Sequence, residues 1–317
     1  KANRECSTNK LVKPFNVDSS LDEKSLYHFT IPSKMMKVVK KFVSIIPSTV
    51  KLIRIDIARS DSHSNGLTGL TGLTGFQIYY YQTPNIIGKM CITTQFMKHI
   101  ICNFEDLKIH RWYGLTNFKR AFAKYKGKSD LSFQQVDLAV LHLNTEVELN
   151  KRSKHKMTTS THINGENHNE DIQNCVIVPN FHLHVCSSSF ATLIDSVDCN
   201  DATDAIEMKI TPTAMHMIST INFQPFMESQ IQINKDDGRK DISLTFDRND
   251  MKLISSHCAL CDTIHIAIDT NHKDFPSNWV RFCWVFKADT MYPHSTTEDG
   301  ESVRHSNASL FVMPWDI

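Results

Sequence analysis

Residues 278–292 read NWVRFCWVFKADTMY, a stretch in which aromatic side chains alternate with charged and small ones. The apolar residues stand at every second position, namely Val280, Phe282, Trp284 and Phe286. Residues two apart share one face of a β-strand, so these four predict a long strand that covers a hydrophobic core. Arg281 and Lys287 fall on the other parity, and we expect them on the outer face of this strand.

The same period of two recurs along most of the chain and predicts about nine strands in all. The other alternating runs are 52–58 (LIRIDIA), 76–80 (FQIYY), 139–149, 181–185 (FHLHV), 206–210, 231–233, 242–246 and 264–268. Asp237-Gly238 separates two of these runs and is typical of a hairpin turn. Apolar residues at 34–46 (KMMKVVKKFVSII) have helical spacing, with lysines on the opposite side and a proline before and after. This spacing predicts a short amphipathic helix, and the valines leave a strand as the alternative.

The composition narrows the classes of partner. The chain has 317 residues and a formal net charge of +1, so the whole molecule has no field that would attract nucleic acid or an anionic membrane. Any contact with nucleic acid must therefore be local. No apolar run approaches the roughly 18 residues that a membrane span needs. The nine cysteines are an odd number, and most lie in apolar runs, which favours buried thiols in a reducing compartment.

One segment combines basic and aromatic side chains. It is residues 117–128 (NFKRAFAKYKGK), in which lysine and arginine could contact phosphate while the aromatic rings stack on bases of a single strand. An exposed amphipathic segment without such a role is the favoured alternative. The candidate contacts are Lys119, Arg120, Phe122, Lys124, Tyr125, Lys126 and Lys128.

Two groups of residues are weak candidates for metal ligands. His182 and His184 flank Leu183 on one face of a predicted strand, as in zinc sites that take a third ligand from elsewhere. Cys258 and Cys261 form a single CxxC without a second pair at zinc-finger spacing. A polar sheet face and buried thiols are the favoured interpretations, and no metal or other cofactor is expected. The sequence holds no nucleophile elbow, Walker loop, dinucleotide fingerprint or HExxH, so we expect no enzyme activity.

Long connectors between the strands of one β-domain are typical of the viral jelly roll. Residues 150–174 are the longest polar connector, and their composition is typical of a disordered segment. The run 262–268, its following loop and the strand 279–287 resemble the last two strands of a jelly roll. The final strand is similar in pattern to that of parvovirus capsid proteins, densoviruses included. Picorna-like insect virus capsids have similar strands, and no phospholipase segment like that of parvovirus minor capsid proteins is present.

The resemblance implies an all-β fold, an eight-stranded antiparallel jelly-roll β-sandwich with long surface loops and a short N-terminal helix. Residues 1–50 would form an arm and that helix, residues 51–290 the sandwich, and residues 291–317 a C-terminal surface tail.

The resemblance also implies a viral capsid protein that self-assembles into an icosahedral shell around the viral genome. Its partners would be further copies of itself, viral nucleic acid and an unknown host receptor. It would be located in the virion, after assembly in the cytoplasm or nucleus of the host cell. The alternatives are a viral movement protein that binds single-stranded nucleic acid on a related β-sandwich, or a His-ligated metalloenzyme.

Overall fold

The computed structural model of the chain describes residues 25–59, 73–82, 85–103, 108–125, 129–136, 139–148, 156–166, 168, 181–222, 224–233, 241–268, 279–286 and 306–315. These residues contain four α-helices and 17 β-strands. The helices are α1 (Ser33–Ile45), α2 (Leu115–Lys124), α3 (Ser187–Val197) and α4 (Arg248–His257). Two short 3-10 helices cover Thr94–Phe96 and Cys258–Leu260.

The strands fall into two consecutive sets along the chain. The first set is β1 (Tyr27–Ile31), β2 (Leu52–Arg59), β3 (Leu73–Gln82), β4 (Ile86–Thr93), β5 (Lys98–Cys102), β6 (Lys108–Gly114), β7 (Leu131–Gln135), β8 (Val140–Glu148) and β9 (Lys156–Glu166). The second is β10 (Phe181–Cys186), β11 (Ala205–Ile210), β12 (Ala214–Ile221), β13 (Gln224–Gln232), β14 (Ile242–Asp247), β15 (Thr263–Ile268), β16 (Val280–Val285) and β17 (Asn307–Val312).

The two sets repeat one pattern of antiparallel pairing. In the first half β1 pairs with β7, β7 with β8 and β8 with β9, while β2 pairs with β3 and β6, and β3 with β4. In the second half β10, β15, β16 and β17 pair in the same sequence, while β11 pairs with β12 and β14, and β12 with β13. Only β5, which pairs with β1, has no counterpart among the described strands of the second half. The chain is thus built from two halves of equivalent connectivity, β1–β9 and β10–β17.

One strand pair joins the halves. β17 of the second half pairs along its whole length with β4 of the first, from Asn307 opposite Cys91 to Val312 opposite Ile86. We call this pair the β4–β17 seam. Gly88 lies within it because the Tyr80 ring occupies the space of a β-carbon there, with the nearest ring atom 1.9 Å from where that carbon would lie. The seam makes one continuous sheet of 13 strands, and β13, β12, β11 and β14 form a separate sheet of four.

Within the stretch 278–292, Val280–Val285 form β16, and the predicted core face is confirmed there, while Lys287 lies outside the described residues. Phe282 and Trp284 are fully buried. What covers them is helical in large part, since Phe190 of α3 lies 6.1 Å from Phe282 and His257 of α4 lies 5.5 Å from Trp284, measured between ring centroids. Helices, rather than a second jelly-roll sheet, therefore complete this part of the core.

The chain is mainly antiparallel β-structure, as the alternating runs predict, and the helix at 34–46 is confirmed as α1. The eight-stranded jelly roll is not confirmed, because 17 strands are present and four helices pack on them. Residues 291–317, expected as a surface tail, contain β17, whose side chains are nearly all buried within the large sheet. Residues 150–174, predicted from composition to be disordered, contain β9, which lies between β6 and β8 in the large sheet. No described helix is long and apolar enough to cross a membrane.

Candidate nucleic-acid interface

The four helices lie side by side in the order α2, α1, α4, α3. Lys119 of α2 donates from Nζ to the carbonyl of Ile46 just after α1, at 2.5 Å. Phe42 of α1 packs edge-on against His257 of α4, with ring centroids 5.8 Å apart. Ser255 of α4 donates from Oγ to Asp195 of α3 at 3.0 Å. These contacts make one row of helices whose apolar sides rest on the sheets.

The outer face of α1 and α2 is basic. Helix α1 buries Met36, Val39, Phe42 and Val43 against the core and carries four lysines elsewhere on its surface: Lys34, Lys37, Lys40 and Lys41. Helix α2 buries Leu115, Phe118, Ala121 and Phe122 and carries Lys119, Arg120 and Lys124. Neither helix contains an aspartate or glutamate. Seven cationic side chains thus share a surface on which these helices place no compensating carboxylate.

These seven cations differ in the contacts that they already make within the protein. Lys119, Lys40 and Lys41 donate to backbone carbonyls, of Ile46, Tyr125 and Ala259 respectively. A lysine amine bound to the last carbonyls of a helix satisfies acceptors that the helix itself leaves unpaired. Burial lowers the pKa of Lys119. Lys37, Arg120 and Lys124 are exposed, and within the described part of the chain none of the three forms an ion pair.

Three of the predicted contacts in the 117–128 segment do not reach the surface in the expected way. Phe122 and Tyr125 are only 2% and 4% exposed, so neither ring is available to stack on a base. The Tyr125 hydroxyl donates to the Ser129 carbonyl, and burial, with the nearby Asp130 carboxylate, raises its pKa to about 12. Lys119 fastens α2 to α1. Lys126 and Lys128 lie outside the described residues, which leaves Arg120 and Lys124 as exposed cations.

The lysines of α1 were not among the residues predicted to contact nucleic acid. Their helix and their position opposite its apolar side follow from the sequence, but the packing of α1 beside α2 does not. α1 lies beside α2 because β1 and β2 belong to the same half as β6 and β7. No local sequence pattern shows this grouping of strands. The two helices together form the surface, which neither segment indicates alone.

The helices of the second half, α3 and α4, differ in charge from α1 and α2. Among described residues, α3 has no cationic side chain and carries Asp195, while α4 carries Arg248, Lys252 and Asp250. Arg248 and Lys252 both pair with Asp198 at the end of α3. Burial raises the pKa of Asp250 to about 7, and the neighbouring Asp247 carboxylate adds to this. The two cations of the second-half helices are therefore paired with carboxylates within the protein.

The metal candidates lie on different parts of the second half. His182 and His184 are exposed on β10, where His184 lies opposite His265 of β15 with ring centroids 4.1 Å apart. Cys258 is buried, which raises its thiol pKa to about 12, and Cys261 donates to the Val285 carbonyl at 3.0 Å. Within the described residues, no three potential ligands lie close enough together to hold a metal ion.

Several described strands have an edge that no other strand covers, since β5 and β10 end the large sheet and β13 and β14 end the small one. On β13, Phe226 and Met227 are 54% and 40% exposed. β9 pairs with β8 along its length, but on its other side only Gly165 and Glu166 meet β6. An exposed edge with apolar side chains is a site where another chain can add a strand.

The sequence matches no protein-family model and no curated protein. The fold, in contrast, is that of a solved structure. The chain is similar to the proliferating cellular nuclear antigen (PCNA) of Entamoeba histolytica, with a TM-score of 0.64 over 92% of this chain and 100% of that one. The two sequences are 11% identical over this match. The similarity therefore concerns the fold.

This fold overturns the interpretation as a capsid protein. The helix-covered, two-half arrangement is shared with PCNA and not with a viral jelly roll, so the assignment to parvovirus-like or densovirus-like capsids is wrong. The icosahedral shell, the virion location and the host receptor depended on that assignment and are abandoned with it. The viral movement protein and the His-ligated metalloenzyme are likewise contradicted. The alternation of apolar residues could not distinguish the two folds, because both folds bury one face of each strand.

Proposed function

We propose that this protein is a subunit of a DNA sliding clamp, an oligomeric ring whose helices face a DNA duplex. PCNA is a sliding clamp, a processivity factor of DNA replication. The observation that carries the proposal for this chain is the basic outer face of α1 and α2, set in the fold that it shares with PCNA. Lysine and arginine on such a face hold phosphates without reading sequence, as movement along a duplex requires.

The repeated connectivity indicates how copies would join. β13 is the second-half counterpart of β4, and β9 is the first-half counterpart of β17. Since β4 and β17 pair inside the chain, β13 of one copy and β9 of the next can pair in the same way. The two strands have 9 and 11 residues, which allows a pair at least as long as the β4–β17 seam. Such a head-to-tail contact closes into a ring when its rotation permits.

The assembly is tested by measuring molar mass with light scattering after size exclusion, over a range of concentrations. We expect an oligomer whose mass falls in the variant Phe226→Glu, because the substitution places a carboxylate on the apolar part of the β13 edge. Gln230→Glu is the matched control, since it adds the same charge to an exposed position of the same strand. Both positions are exposed, so neither substitution should unfold the chain.

The DNA contact is tested with a short fluorescein-labelled duplex in an anisotropy titration at several salt concentrations. We expect binding that weakens steeply as salt rises, because phosphate contacts release counterions. A chain that remains monomeric at its highest soluble concentration, and that binds no duplex at low salt, would refute the clamp proposal.

A further inference from the structure

The charge of the helix row is divided between the halves, and this division goes beyond the general form of a clamp. We infer that this protein holds DNA phosphates through α1 and α2 alone, so that each chain grips the duplex with its first half only. The inference rests on the proposed clamp function. It concerns which helices supply the affinity, and not whether the helix row faces DNA.

The equivalent helices of the two halves can be compared position by position. α1 and α3 each follow the first strand of their half, and Met36, Val39 and Val43 correspond in burial to Phe190, Leu193 and Val197. With the helices aligned by these core positions, Lys34 and Lys41 correspond to Ser188 and Asp195. A cation in the first half is thus matched by a neutral or an acidic residue in the second.

Helices α2 and α4 each carry a lysine at the same position, and the two lysines make equivalent contacts. Lys119 is the fifth residue of α2, and Lys252 is the fifth residue of α4. Lys119 donates to the carbonyl of Ile46, the C-cap of α1, while Lys252 pairs with the carboxylate of Asp198, the C-cap of α3, at 3.0 Å. Both lysines therefore fasten a helix to the end of its neighbour. This pairing accounts for Lys252 within the fold and removes it as a free phosphate ligand.

Arg248, the other cation of the second-half helices, is also paired with carboxylates. Arg248 donates to the carboxylates of Asp198 and Asp201 and to the Asp201 carbonyl. Its cationic group is satisfied by two carboxylates, so binding a phosphate would require those pairs to break. Lys37, Arg120 and Lys124 carry no such cost, because within the described residues no carboxylate pairs with them. The phosphate-binding capacity is accordingly on the first-half side of the row.

The inference predicts a specific salt dependence. For duplex DNA the slope of log affinity against log salt is about −0.9 for each phosphate neutralised. If Lys37, Arg120 and Lys124 each hold one phosphate, replacing all three with alanine makes the slope shallower by about 2.7. Between 50 and 200 mM NaCl the wild-type protein should then lose roughly 40-fold more affinity than the triple variant.

Two further variants examine the second half. Lys252→Ala removes a cation from α4 and should leave the slope unchanged, because that amine is committed to Asp198. Thr192→Lys with Asp195→Lys places two cations on exposed positions of α3, three residues apart and hence on one side of the helix. If α3 faces the duplex, these lysines make the slope steeper by up to about 1.8. Circular dichroism melting confirms that each variant is folded.

The outcomes separate the inference from the clamp proposal. A shallower slope in the triple variant, no change in Lys252→Ala and a steeper slope in the α3 variant support both. A slope that becomes shallower by about 0.9 in Lys252→Ala overturns the inference and leaves the clamp intact, because α4 then also holds a phosphate. An unchanged slope in the α3 variant overturns the clamp, since the second-half helices would not face DNA. An unchanged slope in the triple variant overturns both.

Discussion

His257 should make the stability of this protein fall in mild acid. Its ring is fully buried at the junction of the two halves, where it contacts Phe42 of α1, Tyr80 of β3 and Trp284 of β16. Nδ1 lies 2.8 Å from the Leu253 carbonyl, which can only accept, so Nδ1 carries the hydrogen. Nε2 then accepts from the Tyr80 hydroxyl, 3.4 Å away. The neutral ring fits this site, and a protonated ring does not.

Burial lowers the pKa of His257 to about 4, against about 6.5 in the unfolded chain. A depressed histidine pKa means that the unfolded state takes up a proton first as the pH falls. The stability is therefore complete above about pH 6.5 and is lost progressively down to about pH 4. The difference of about 2.5 units corresponds to about 3 kcal/mol in full, of which about 2 kcal/mol is lost between pH 7 and pH 5. The Tyr80 hydroxyl and the Cys258 thiol have pKa values raised by burial and stay neutral throughout.

The measurement is the free energy of unfolding in urea at about pH 7 and about pH 5, for wild type and for His257→Phe. The variant keeps an aromatic ring in the site but has no proton to bind, so its stability should fall by about 2 kcal/mol less than that of wild type over this interval. His110→Asn, at an exposed position, serves as the control and should behave like wild type. Equal pH dependence in wild type and His257→Phe would refute the reasoning.

Three further predictions concern Gly88 in the β4–β17 seam, the half-buried carboxylate of Asp250 and the contact of Lys119 with α1. Gly88→Ala should lower the free energy of unfolding by about 1–3 kcal/mol, because a β-carbon there meets the Tyr80 ring; a urea titration that shows no loss contradicts the packing. Asp250→Asn should raise the melting temperature at pH 8 and leave it unchanged at pH 3, since the raised pKa of about 7 makes the charged form unfavourable in the folded state; scanning calorimetry at both pH values decides this. Lys119→Ala should lower stability by about 1 kcal/mol with little effect on the salt slope of DNA binding, whereas Lys124→Ala should do the reverse; equal effects on both measurements would contradict the assignment of Lys119 as a tether.

Local pattern found nine of the 17 described strands and none of the pairings between them. Each of the nine alternating runs overlaps a strand, because a strand with one buried face alternates by necessity, although the run 231–233 covers only the end of β13. β4 was not predicted, because both of its faces are buried and its sequence does not alternate. One face lies against the core and the other beneath Phe311 and Trp279. α3 carried a usable signal that was overlooked: Phe190, Leu193, Ile194 and Val197 are spaced as on a helix.

Strand order was beyond local pattern. The Asp237-Gly238 pair predicted a hairpin, yet the strands on either side, β13 and β14, lie at opposite edges of their sheet. The turn itself lies outside the described residues. The seam joins strands more than 200 residues apart, counted from Val312 to Ile86. Such pairings arise from the packing of whole halves, so the fold class could be predicted to be β while its topology could not.

The division of charge along the helix row shows why net charge is a poor test of the proposed clamp function. A net charge of +1 argues against attraction of DNA by the whole molecule, and that argument holds. It does not apply to a local surface such as that of α1 and α2, which carry seven cations between them and no carboxylate. For the proposed clamp this arrangement has a physical advantage. Strong charge spread over the entire surface would bind DNA from any side, whereas a basic face confined to the helix row binds only a duplex that lies against it.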